Sequence, residues 1–109
     1  MSRPSDLVQG TLDLLILKIL ALQPLHGWAI GERMQQMSKD VLRVGPGSLY
    51  PALHKLEQAG WIKAEWSVNE AQRRVKSYSI TKEGRKRLQQ EAADWKRLSG
   101  AISAIVFEG

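Results

Sequence analysis

Gly60 divides the hydrophobic pattern of this chain in two. Before it, in PGSLYPALHKLEQAGWI (Pro46 to Ile62), the apolar residues Leu49, Ala52, Leu53 and Leu56 recur every three or four positions, as on one face of an α-helix. After it, in WIKAEWSV, Ile62, Ala64, Trp66 and Val68 alternate with Lys63, Glu65 and Ser67, the period of a strand with one buried face. Glycine suits the left-handed turn that ends a helix, so the pattern predicts a helix delivered directly into a strand. The polar stretch NEAQRR follows, and then VKSYSI returns as a second strand with Tyr78 and Ile80 on one side. Any fold for this chain must set a short helix beside a β-hairpin.

That helix has a second side. At 100° per residue, Pro51, His54, Lys55 and Gln58 cluster opposite the buried stripe, with Ser48 and Tyr50 flanking at the entrance. Ser48 is the expected N-cap. It would place Pro51 at the third helical position, where its missing N–H breaks no intrahelical bond. The geometry predicts a helix used on its outer face and at its N-terminus.

The remaining elements follow from the same periodicities. Residues 1–10 show no periodic pattern and read as an arm; Thr11 is the expected cap of a first helix with Leu12, Leu15, Ile16, Ile19 and Leu20 on one face. Leu14, Leu17 and Leu22 lie off that face, and a helix apolar on more than one side wants burial on more than one side. Leu14 and Leu17 are therefore assigned to a partner subunit. QPLHG ends the helix, and a second one runs from about Gly27 to Met37 with Ile30, Met34 and Met37 on one face. SKDVLRVGPG is a connector, with a short extended piece expected at Val41 to Val44. After the hairpin, Thr81 caps a long final helix. Its apolar residues Leu88, Ala92, Trp95, Ile102 and Val106, with Ser99 in the remaining slot, alternate by fours and threes, widened by Leu98 and Ile105, like a coiled-coil seam. The seam fits either the domain's own core or a twin, and the first helix favours the twin.

Charge narrows the partner. Residues 1–70 balance seven Lys/Arg against seven Asp/Glu, whereas residues 71–109 hold nine against four, so the whole surplus of +5 lies in the last third. Such a surplus attracts a polyanion such as nucleic acid, or it is a solvated basic face that aids solubility. With no cysteine, disulfides, thiolate zinc sites and a cysteine nucleophile are excluded. The two histidines, His26 and His54, have no carboxylate pair tied to them, so neither a catalytic set nor a metal site is expected, and no cofactor. MSRPSDLVQG does not read as a signal peptide, and the apolar run after it is too short to span a membrane; a cytoplasmic protein without membrane contact is expected.

Three helices, a hairpin and a long helix, in that order, give a mostly α fold with a small β-hairpin: a winged helix-turn-helix over residues 1–80 and a C-terminal dimerisation helix over 81–109. In that arrangement the third helix enters the DNA major groove and the hairpin meets the backbone or minor groove. Candidate DNA contacts are Ser48, Tyr50, His54 and Lys55 on the helix, and Arg73, Arg74 and Lys76 on the wing.

PLHGWAI, PGSLYPALHKLEQAGWI and RVKSYSITKEG resemble, in order and spacing, the three signature blocks of the PadR family of bacterial transcriptional regulators. The resemblance covers about Leu12 to Gly84, and its short form has one C-terminal helix. It implies a homodimer that binds a partly palindromic double-stranded operator, usually as a repressor. Recognition-helix roles pass to Ser48, Tyr50 and Lys55, and wing roles to Lys76 and the arginines before it. Trp28 stands where the family usually has tyrosine, Ser77 replaces an aromatic residue before Tyr78, and NEAQRR lacks the usual glycine or proline. Regulators of this short type also take flat hydrophobic effectors at the dimer interface. Trp95 on the seam is the candidate stacking residue for a planar small molecule, or else simply part of the dimer core, with Leu88, Ala92, Leu98, Ile102 and Val106. The competing reading is a winged-helix interaction module whose basic face takes an acidic protein partner or RNA.

Overall fold

Two antiparallel pairings join three strands into one sheet. The computed structural model describes residues 4–108, with side chains from Thr11 onward. In chain order the elements are α1 (Pro4–Leu22), β1 (Leu25–His26), α2 (Gly27–Met37), α3 (Pro46–Gln58), β2 (Ile62–Val68), β3 (Arg74–Ile80) and α4 (Lys82–Ser103), which runs on into a π-helical turn at Ala104–Glu108. The strand order is β1-β3-β2.

The core forms where the helical stripes meet. Leu12, Ile16, Leu17 and Leu20 of α1, Ile30 and Met34 of α2, and Leu49, Ala52, Leu53 and Leu56 of α3 are buried together with Ile62 and Tyr78 of the sheet. All four residues of the expected α3 stripe are therefore inside. Leu17 is not available to a partner: it is fully buried in its own protomer, because α1 packs against α2, α3, β3 and α4 at once. Burial on several sides of α1 is met within one chain. Leu14 is half-buried, and Leu88 is half-buried against the same core.

α2 starts at Gly27 and α4 is capped by Thr81, as expected, but α1 and α3 start differently. α1 extends back to Pro4, so Thr11 lies inside it and most of the expected arm is helical; residues 1–3 lie outside the described residues. Proline suits a first helical position because its absent N–H has no intrahelical acceptor there. α3 begins at Pro46 with Gly45 as N-cap, so Ser48 is its third residue and not its cap. The Gly45 carbonyl accepts from Ser48 N–H at 3.1 Å and from Leu49 N–H at 2.9 Å. Pro51 consequently sits inside the helix, where it cannot donate to the Gly47 carbonyl four residues earlier. Both residues are exposed, so water can reach that carbonyl.

The stops are as expected. Gly60 takes φ +82°, Trp61 N–H donates back to Leu56 O at 3.1 Å, and Gly60 N–H donates to Glu57 O at 3.0 Å. Those two bonds close the last turn of α3. Thr81 Oγ1 accepts from Gly84 N–H at 3.0 Å and donates to the Gly60 carbonyl at 2.7 Å, so one threonine caps α4 and ties it to the end of α3.

The strand at Leu25–His26 was not expected. It pairs Leu25 with Tyr78 and His26 with Ser77, and Ser77 Oγ lies 3.0 Å from His26 Nδ1. No strand forms at Val41 to Val44; there Ser38 Oγ accepts from Leu42 N–H at 2.9 Å, while Lys39 and Asp40 take positive φ. Met37, expected on the buried face of α2, is exposed at that helix's end. Alternation in β2 runs out midway: Ile62 is buried and Ala64 half-buried, but Trp66 and Val68 are exposed because the hairpin projects beyond the body.

The wing turn forms without glycine or proline. Asn69 O accepts from Gln72 N–H at 3.0 Å, and Asn69 Oδ1 accepts from both Ala71 and Arg73 N–H at 3.0 Å. The asparagine side chain supplies the pairing, leaving Gln72 at φ +61°.

Candidate nucleic-acid interface

α3 presents three kinds of surface outside its buried stripe. Pro51, His54 and Gln58 are exposed opposite the core. Tyr50 and Glu57 lie on the flank towards the wing, and Lys55 lies on the flank towards α1.

The wing-side flank closes a cleft of about 490 Å³ between α3, the start of α2 and the sheet. Its walls are His26, Gly27, Trp28, Tyr50, His54, Glu57, Trp66, Arg74, Val75, Lys76 and Tyr78. Gly27 permits the tight wall: a Cβ there would stand 3.0 Å from Tyr50 Cε1 and 3.4 Å from Tyr78 Cε2. The Trp28 and His26 rings stack with centroids 6.4 Å apart. Across the cleft, the Arg74 guanidinium lies 4.7 Å from the centre of the Trp66 ring, which holds a flexible cation at the mouth.

Lys76 points into this cleft. Its ammonium is 3.5 Å from Glu57 Oε1, 5.4 Å from the centre of the Tyr78 ring and 5.8 Å from that of Trp66. Burial pushes its pKa down, but the facing Tyr78 and Glu57 outweigh that and hold it above the ordinary lysine value, so it is charged at neutral pH. The pair bridges wing to α3. On the other flank, Lys55 Nζ donates to Asp13 Oδ2 of α1 at 2.7 Å.

Of the seven expected DNA contacts, the fold gathers Tyr50, His54, Arg74 and Lys76 around one cleft. Ser48 is half-buried in the first turn of α3, Lys55 stands on the α1 side, and Arg73 is exposed at the end of the wing turn. Missed were Trp28 and Trp66, 57% and 59% exposed, and the two carboxylates Asp13 and Glu57. Trp66 shares a face with Ile62 and so read as core; the carboxylates pair with residues far away in the chain, and periodicity carries no such signal. Among the described residues no cluster of His, Asp or Glu could hold a metal ion, and no helix is long and apolar enough to cross a membrane.

Beyond Leu88 the seam of α4 is uncovered. Ala92, Trp95, Leu98, Ile102 and Val106 are all exposed, as are Ile105 and Phe107 in the π-helical turn. The base of α4 is anchored by the Arg87 guanidinium, 4.8 Å from the centre of the Trp61 ring and 2.8 Å from Glu91 Oε1.

The sequence pattern of the PadR-like family of transcriptional regulators matches residues 16–90, which takes in all of α2, α3 and the sheet. The chain belongs to this family. Its winged helix-turn-helix and long C-terminal helix superpose on a transcriptional regulator from Clostridium thermocellum with a TM-score of 0.84 at 28% identity, over 93% of this chain and 98% of that one. A PadR family transcriptional regulator from Eggerthella lenta superposes with a TM-score of 0.81 at 26% identity, over 95% and 88%. In sequence, the chain is 39% identical over 90 residues to an uncharacterized 37.1 kDa protein in a transposon of Streptomyces fradiae. That match covers 83% of this chain and 24% of the relative, so the chain spans about a quarter of that protein's length. PadR-family membership makes this a transcriptional regulator with the winged-helix fold of DNA-binding regulators.

Proposed function

We propose that the protein is a homodimeric, sequence-specific repressor, in which α3 enters the major groove of a partly palindromic operator and the wing holds the backbone. The observation that carries this reading is the joint placement of Tyr50, His54, Arg74 and Lys76 around one cleft beside the exposed outer face of α3. A winged helix used for DNA needs that combination: donors on the helix for base edges, and cations on the hairpin for phosphates. In this reading residues 1–80 bind DNA and residues 81–109 pair the subunits. Ala92, Trp95, Leu98, Ile102 and Val106 form the seam, with Leu14 and Leu88 at its edge. The exposed stripe supports pairing, since a helix so apolar on one side is poorly suited to water. A planar hydrophobic effector stacked between Trp95 and its symmetry mate would release the operator by altering how the two α3 helices are spaced.

The test is binding of a duplex from the gene's own upstream region against a scrambled duplex at moderate salt, with footprinting of the preferred one. The expected result is a preference for the upstream duplex and two protected half-sites about one helical turn, ~34–36 Å, apart. Equal binding of both duplexes, or tighter binding of single-stranded RNA, would replace this reading with that of an interaction module.

A further inference from the structure

We infer that Asp13 of α1 is a specificity-positioning residue, whose carboxylate holds the Lys55 ammonium in place to read a base and keeps it from ranging over phosphates. The inference rests on the DNA-binding reading above. Lys55 is 64% exposed at its side chain, and a lysine that free ordinarily samples many rotamers. Here its Nζ donates to Asp13 Oδ2 at 2.7 Å, although the two residues lie 42 positions apart. Asp13 is a firm anchor. Its helix is gripped on either side of it by Leu12 and Ile16, both fully buried, and its side chain is only 28% exposed.

The chemistry fits a reader of guanine. An ammonium has three N–H donors and Asp13 takes one, leaving two, the number that the O6 and N7 acceptors of guanine require. Pro51, which with Asp13 and Lys55 lines a small hollow between α1 and α3, belongs to the exposed outer face of α3 and puts the ammonium at that face's edge. The carboxylate has two effects. It orders the lysine before DNA arrives, which lowers the entropy lost on binding. It also offsets the lysine's charge, so Lys55 adds little to attraction for any backbone. An exposed ion pair of this kind contributes little to folding, so positioning accounts for it better than stability does.

The experiment uses the full chain and two duplexes: one selected by the wild-type protein from a random-sequence pool, and its scrambled counterpart. Affinities are measured by fluorescence anisotropy across a salt series for the wild type, Asp13→Asn, Lys55→Ala and the double variant. For Asp13→Asn, the selected-to-scrambled affinity ratio is expected to fall about tenfold. The scrambled duplex should bind more tightly, with a log-affinity against log-salt slope steeper by about 0.9 per subunit that contacts DNA, because each freed lysine neutralises one more phosphate. In the Lys55→Ala background, adding Asp13→Asn should leave the ratio unchanged. A ratio that stays constant while both affinities rise together means a plain charge effect, and affinities that fall together mean a structural role; either overturns the proposal. A wild-type protein that enriches no sequence from the pool overturns the DNA-binding reading and this proposal with it. A wild-type preference left intact by Asp13→Asn overturns this proposal alone.

Discussion

Gly84 is the residue through which α4 is fastened to the body, and replacing it with alanine tests whether that fastening is as rigid as it looks. A Cβ built at Gly84 would collide with the carbonyl oxygen of Trp61, stand 2.9 Å from that carbonyl's carbon and 2.8 Å from Ile80 Cγ1. Trp61 cannot readily move aside. Its carbonyl accepts from Thr81 N–H at 3.0 Å, and its own N–H is spent on Leu56 O in closing α3. Gly84 N–H is in turn the donor to the Thr81 cap. Relief therefore means breaking bonds at the junction of α3, β2, β3 and α4 together.

The magnitude follows from opposing effects. Alanine gains about 1 kcal/mol over glycine in a helix interior. Against it stand overpacking of about 1–3 kcal/mol, a weakened cap of about 1 kcal/mol and a strained Thr81–Trp61 hydrogen bond of about 1 kcal/mol. The net is a loss of roughly 2–4 kcal/mol, a fall in melting temperature on the order of 10 °C for a chain of this size. Gly100 is the control: it lies in the same helix, and a Cβ there meets nothing within 4 Å. Gly100→Ala should gain up to about 1 kcal/mol. Thermal and urea unfolding followed by circular dichroism measures both, at matched protomer concentration because the stability of the proposed dimer would depend on it. Gly84→Ala as stable as wild type would refute the claim that the Trp61 carbonyl is fixed.

Three other substitutions probe separate parts of the structure. Gln72→Gly removes a side chain from a residue at φ +61° and should raise unfolding free energy by about 1 kcal/mol in urea titration. Arg74→Ala removes the wing cation held over Trp66; affinity for selected and scrambled duplexes should fall alike, with a salt slope shallower by about one per subunit that loses the contact. Ile102→Glu places a charge on the exposed seam of α4 and should shift sedimentation towards the monomer while leaving the helical signal of the body intact.

The elements of this fold were legible where a single period runs long enough to be read. The α3 stripe, the Gly60 stop and the Thr81 cap are local patterns with local causes, and the structure has all three. What periodicity leaves open is whether anything covers a face. Trp66 shares its side of β2 with buried Ile62, yet lies exposed where the hairpin outruns the body. Leu17 looked surplus to the face of α1 and proved fully buried, because α1 is wrapped by its own chain on more sides than one stripe suggests. Two-residue β1 is too short to show alternation, and its existence is decided by the facing β3. α3 starts three residues before the expected position: serine is a good cap in isolation, but Pro46 fixes the first helical turn with Gly45 as its cap.

Charge shows the same limit in its sharpest form. The surplus in the last third of the chain is contiguous in sequence but divided in space. Arg73, Arg74 and Lys76 belong to the wing, and the remaining cations are on α4. Lys76 is turned towards Glu57 inside the cleft, and Arg87 is packed on Trp61 and paired with Glu91. On α3 itself, Lys55 is answered by Asp13. α3 is thus flanked on both sides by lysines that already have carboxylates, and among the wing cations it is Arg74 that meets an aromatic ring and no carboxylate within the described contacts. A surface built this way divides the work of binding. In the DNA-binding reading proposed above, the arginines of the wing are the more readily available to the backbone, while Lys55 and Lys76 engage DNA only where its geometry is good enough to share or displace their carboxylates. On that reading, sequence preference would depend on how hard those lysines are to recruit, which the net charge of the chain does not express.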